Sequence, residues 1–146
     1  MENFEGAVAE RLKDWDILNR ENRKVGTIHF GGICIECLLK AMICQLSVVT
    51  EGKKGKVKIW IVDGEKKSRP SHDLLNVQYR ELLPDVYDSM PSDVECALEN
   101  VSKPNGVSYI DYRYSTDSEL SGLNYDKWLD DFYLVYNFLT DIKHNI

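Results

Sequence analysis

Apolar residues recur along this chain mostly at helical spacing. Phe4, Ala7, Val8, Leu12, Trp15 and Leu18 share one face and predict a first helix over about residues 3–21, charged on its other side. A second helix runs from about Val25 to Val49. Ile33, Ile35, Leu38, Leu39, Met42 and Ile43 fill most of its circumference, the pattern of a buried helix. Gly31-Gly32 within it would let a neighbour approach closely, at some cost in helix propensity. Leu74, Leu75, Val77, Leu82 and Leu83 predict a third helix, N-capped by Ser71 and stopped by Pro84. Ser92 and Glu95 form a capping-box pattern ahead of the stripe Val94, Ala97, Leu98 and Val101, and Pro104-Asn105-Gly106 ends that fourth helix. The clearest stripe is the last: Tyr125, Trp128, Leu129, Phe132, Val135, Tyr136 and Leu139.

Two stretches break the pattern. Residues 51–71 are rich in glycine and lysine. Within them Val57-Lys58-Ile59-Trp60-Ile61-Val62, followed by Asp63-Gly64, carries a hairpin signal, but the arm after the turn offers nothing apolar to pair. A short exposed hairpin or a loop is expected there. Val107 to Ser115 is tyrosine-rich and neither helical nor alternating, so it is expected to wrap the body as an extended segment. Five helices with mostly short connections predict a single all-α domain over residues 1–146, an antiparallel up-and-down bundle carrying the lysine-rich insert.

Composition narrows the class. A chain of 146 residues with 43% apolar content has room for one core. The run at residues 28–49 is the nearest to a membrane span, but Glu36, Lys40 and Gln45 interrupt it and no basic signal-peptide start is visible, so a cytoplasmic, membrane-free protein is expected. A net charge of −6 argues against a domain-wide nucleic-acid groove. The charge is uneven, however. Lys53, Lys54, Lys56, Lys58, Lys66, Lys67 and Arg69 are clustered, whereas Asp117, Glu119, Asp126, Asp130 and Asp131 crowd the approach to the last helix. Such polarity can be solvated surface, or can steer RNA or an oppositely charged partner. Cys34 and Cys37 suggest a zinc or redox pair, but no second ligand pair exists and both lie inside an apolar helix, so all four cysteines are read as reduced thiols and no metal is expected.

Candidate chemistry begins with three polar residues in the most apolar helix. At about 100° per residue, His29, Glu36 and Lys40 share one stripe. Buried charge is costly unless paired, so Glu36 and Lys40 either neutralise one another or face a shared polar cleft. His29 either donates to the carboxylate or a backbone carbonyl, or serves chemistry. His72 and Asp73 fall in the expected first turn of the third helix, where they either cap or help hold an anion. Arg113, between Tyr112 and Tyr114, either latches its segment to Glu36 or joins Lys40 and His72 in an anion-binding cleft.

The order of three motifs resembles the HEPN domains of prokaryotes. Glu36-Cys37 with Leu39-Lys40 looks like the family's early helix, His72-Asp73-Leu74 like the opening of its next helix, and Tyr112-Arg113-Tyr114-Ser115 like the Arg-Tyr segment before its final helix. The resemblance implies a helical homodimer that binds a nucleotide, RNA or a partner such as a minimal nucleotidyltransferase, within a defence or toxin–antitoxin type of system, and that needs no cofactor. Its ligand cleft would draw on Glu36, Lys40, His72, Asp73, Arg113 and Tyr114. Catalytic members are metal-independent endoribonucleases with an arginine and a histidine four to six residues apart on a late helix. Here Arg23 and His29 match that spacing but stand earlier in the chain. The resemblance therefore implies a noncatalytic module first, and an endoribonuclease using Arg23 and His29 as the alternative.

Overall fold

The computed structural model describes residues 1–120 and 122–146. Helix α1 (Phe4–Arg20) starts where the Asn3 side chain accepts from the Gly6 amide at 2.9 Å, and a tight link with Asn22 in the left-handed region turns the chain into α2 (Lys24–Leu46). Three residues between two long helices leave them antiparallel and packed side by side. Helix α2 is the centre of the molecule: Ile28, Cys34, Ile35, Leu39, Met42 and Ile43 are fully buried. It is, among the described residues, the one helix long and apolar enough to cross a membrane, which corrects the expectation that its charges disqualify it. In the fold its apolar sides are covered by α1, the last helix and the segment around Tyr112.

The all-α expectation is overturned. After α2 the chain forms a three-stranded antiparallel sheet in the order β1 (Val49–Lys54), β2 (Val57–Val62), β3 (Glu65–Ser68), so the protein is mixed α/β, although 63% helical. The second helix ends at Leu46 because Ser47 turns extended, which makes Val49 the first residue of a strand. Strand β3 pairs with β2 through its backbone alone, so the lack of apolar side chains in that arm does not prevent pairing. Asp63 and Gly64 both have positive φ, as a two-residue hairpin turn demands. Trp60 and Val62 turn one sheet face onto the body, where the buried Trp60 ring meets Phe4 at 5.7 Å, and Val57, Ile59 and Ile61 point the other way.

Short helices α3 (Val77–Leu82) and α4 (Pro84–Asp88) follow, then α5 (Ser92–Ser102), a run of 3₁₀ turns, and α6 (Tyr125–His144). The third helix starts five residues later than expected. Ser71 and Asp73 spend their side chains on local turns, the Leu74 amide goes to the Ser102 hydroxyl at 3.0 Å, and Asn76 supplies the cap. Pro84 stops α3 and also opens α4. The capping box at Ser92 does not form: Pro91 precedes the helix, and the Glu95 carboxylate reaches Arg80 instead. The Tyr109 segment is likewise not extended, since Asp111–Tyr114 is a 3₁₀ turn. The glycine pair does its expected work, but against rings rather than another helix backbone. Trp128 and Trp15 press on Gly31, and Tyr109 lies on Gly32.

Candidate functional site

Four side chains from three segments meet on the stripe of α2. Glu36, whose side chain is 11% exposed, lies 3.5 Å from the Lys40 ammonium one turn on, itself 4% exposed. The Tyr109 hydroxyl donates to Glu36 Oε1 at 2.8 Å, and His72 Nδ1 donates to the same oxygen. A carboxylate oxygen only accepts, so this contact fixes the proton on Nδ1 and leaves Nε2 as the free ring nitrogen. The His72 side chain is 55% exposed, so the cluster runs from a buried ion pair to an imidazole at the surface. Burial, with the Glu36 charge adding to it, pushes the Tyr109 hydroxyl far above its ordinary range and keeps it a donor.

Local geometry explains the meeting. Gly32 and Glu36 are one turn apart, so the Tyr109 ring lies on Gly32 while its hydroxyl reaches Glu36. His29, one turn earlier, donates from Nδ1 to the Tyr109 carbonyl at 3.1 Å. Residues 29, 32 and 36 thus grip a single tyrosine by its backbone, its ring and its hydroxyl. Lys40 also faces the Phe4 ring at 5.7 Å, and Asp73 pairs with Lys103 at 3.4 Å just outside the cluster.

Of the residues singled out in the sequence, Glu36, Lys40 and His72 come together, with Asp73 beside them. Arg113 does not join. Its guanidinium stacks over Tyr114, 4.7 Å from the ring centroid, and both side chains stand in solvent. The expected latch exists, but a tyrosine makes it: Tyr109 supplies a neutral donor to Glu36, whose charge Lys40 already balances. Tyr109 was missed. The available signal was the glycine pair one turn before a buried glutamate, a slot the size of a ring.

Arg23 and His29 do not form a pair. Arg23 is the exposed N-cap of α2, and six helical positions separate the two by about 120° around the axis and roughly 9 Å along it. His29 is half-buried and committed to the Tyr109 carbonyl. The described residues contain no cluster of three metal-ligating side chains. Burial pushes the Cys34 thiol up to about 12, with Cys37 adding to the shift, and burial raises Cys37 as well, the reverse of what a metal ligand or redox thiolate needs. Cys96 is exposed. With an aromatic disulfide reagent near neutral pH, we therefore expect Cys96 to react at once, Cys34 and Cys37 only on unfolding, and the half-buried Cys44 at an intermediate rate. Rapid reaction of Cys34 in the native protein would contradict this burial.

A polar cavity of about 430 Å³ lies on the far side of Lys103, lined also by Asn100, Asn105, Asn124 and Lys127. Both of its lysines already hold carboxylates, Lys103 with Asp73 and Lys127 with Asp131 at 2.8 Å, so it presents no surplus of positive charge. Set against models of protein families, curated proteins and solved structures, the chain matches none.

Proposed function

We propose that this chain is a noncatalytic, HEPN-like module that binds RNA through the lysine-rich tip of its sheet. One observation carries the reading. Lys53 and Lys58 stand directly opposite one another across β1 and β2, with Lys54 and Lys56 around the turn between them. Like charges directly opposite on a sheet destabilise it, so this arrangement works against the fold rather than for it. All four side chains are exposed, and none forms an ion pair among the described residues.

Geometry makes the tip accessible. Strand β3 ends at Ser68 opposite Ile59, so the hairpin beyond it is only two strands wide. The rest of this net-acidic chain repels a polyanion and leaves the tip as the favoured approach. Among the described residues no aromatic ring lines the tip, since Trp60 is buried against the body, so contact is with phosphate rather than with stacked bases. The separation of Arg23 from His29 supports binding without cleavage.

The test is fluorescence anisotropy of a labelled single-stranded RNA in EDTA and low salt. Replacing Lys53, Lys54, Lys56 and Lys58 together with glutamine is expected to weaken binding at least about tenfold, because each lost phosphate contact removes counterion release. Thermal stability should hold or rise slightly, since the four lysines are exposed and the substitutions relieve their mutual repulsion, and the RNA should remain intact. Equal affinity of variant and wild type would overturn the reading.

A further inference from the structure

We propose that His72 is a phosphoryl-acceptor histidine, modified on Nε2. The inference is independent of RNA binding and rests on how the ring is held. Nδ1 is committed to Glu36, so the nitrogen left with a free lone pair is Nε2, on a side chain 55% exposed. Glu36 cannot swing away: its side chain is 11% exposed, the Tyr109 hydroxyl binds one oxygen at 2.8 Å, and the Lys40 ammonium lies 3.5 Å from the other. Tyr109 also meets the imidazole edge-on, with ring centroids 6.2 Å apart. A carboxylate on the far nitrogen fixes the tautomer, aims the ring and increases electron density at the near nitrogen.

The arrangement suits the imidazole as nucleophile rather than as a base for another one. Among the described residues no serine, threonine or cysteine side chain is hydrogen-bonded to His72, so no hydroxyl or thiol stands ready to be activated. In the step, the Nε2 lone pair forms a bond to phosphorus of a small phosphoryl donor of the phosphoramidate or acyl-phosphate class. The bond from phosphorus to the donor's leaving atom breaks with its electron pair. A phosphoramidate leaves as ammonia after taking a proton from water, and an acyl phosphate leaves as the carboxylate. Positive charge that develops on the ring is stabilised through Nδ1–H by Glu36.

The chain contains its own reference. His144 is exposed near the end of α6 and makes no side-chain hydrogen bond or ion pair among the described residues, so it reports the intrinsic reactivity of an imidazole. The full chain is incubated with potassium phosphoramidate, the rate at each histidine is followed by peptide mass mapping, and the linkage is read by phosphorus NMR. His72 is expected to react at least about tenfold faster than His144, on Nε2, and Glu36→Gln to remove most of that advantage without changing the rate at His144. A His72 rate no greater than that of His144, an adduct on Nδ1, or full reactivity in a folded Glu36→Gln protein would each overturn the proposal. Should Glu36→Gln not fold, the comparison of His72 with His144 in the wild type decides alone.

Discussion

Replacing Glu36 with leucine is expected to cost about 3–5 kcal/mol of stability, the range for removing one partner of a buried ion pair. The substitution leaves the Lys40 ammonium, 4% exposed, with the Phe4 ring as its remaining electrostatic contact. It also strands the buried Tyr109 hydroxyl and frees His72, which loosens two chain segments from α2. Denaturant unfolding of the single variant and of Glu36→Leu/Lys40→Met separates these effects. Because a buried ion pair and an apolar pair of similar volume are often equally stable, the double variant should recover a large part of the loss. What it does not recover measures the tyrosine and histidine contacts. A single variant as stable as wild type would mean that the cluster is not buried as described.

Gly32→Ala is the second large effect. The added Cβ would lie 2.2 Å from Cγ and Cδ2 of Tyr109, far inside any allowed contact. The ring is fully buried and held at both ends, by Glu36 at its hydroxyl and by His29 at its carbonyl, so it has no easy way to yield. Overpacking of this kind costs about 1–3 kcal/mol and sometimes more. For a chain of this size, roughly 3 °C of melting temperature is lost per kcal/mol. Gly26→Ala, in the same helix, is the control: the atoms nearest its Cβ are the Leu18 methyls at 3.1 and 3.2 Å, the end of a flexible, half-buried side chain that need give by only a few tenths of an ångström. An unchanged melting temperature for Gly32→Ala would contradict the placement of Tyr109.

Long elements were legible in the sequence because their period repeats several times. Helices α1 and α2 are found within one to three residues of their expected ends, α6 contains the whole of its expected stripe and runs five residues beyond it, and α2 proves as buried as its apolar circumference implied. Short elements depend on partners far along the chain. Ser71 has the residue type of an N-cap, but Ser102 and Glu36 take the neighbouring groups and delay the helix to Asn76. Strands β1 and β3 are invisible to apolar patterning, since lysine, glycine and glutamate join the sheet through the main chain. At the candidate site, Glu36 and Lys40 were recoverable because charge in an apolar helix requires partners, and His72 was singled out by its place before the third helix, although its contact with Glu36 was not expected. Tyr109 was not, since its role depends on a fold that brings residue 109 onto residue 32. Arg113 pointed the wrong way for the same reason: the segment was right, but the residue facing inward was four positions earlier.

The most direct test of the account is the salt dependence of RNA affinity for the wild type and for the protein lacking the four tip lysines. If those lysines hold phosphates, the logarithm of the association constant should fall against the logarithm of salt concentration with a slope of about −3, the value for four contacts on a single strand. In the variant the slope should approach zero. Identical slopes, or no binding by the wild type at low salt, would contradict the claim that the hairpin tip is where this protein meets RNA.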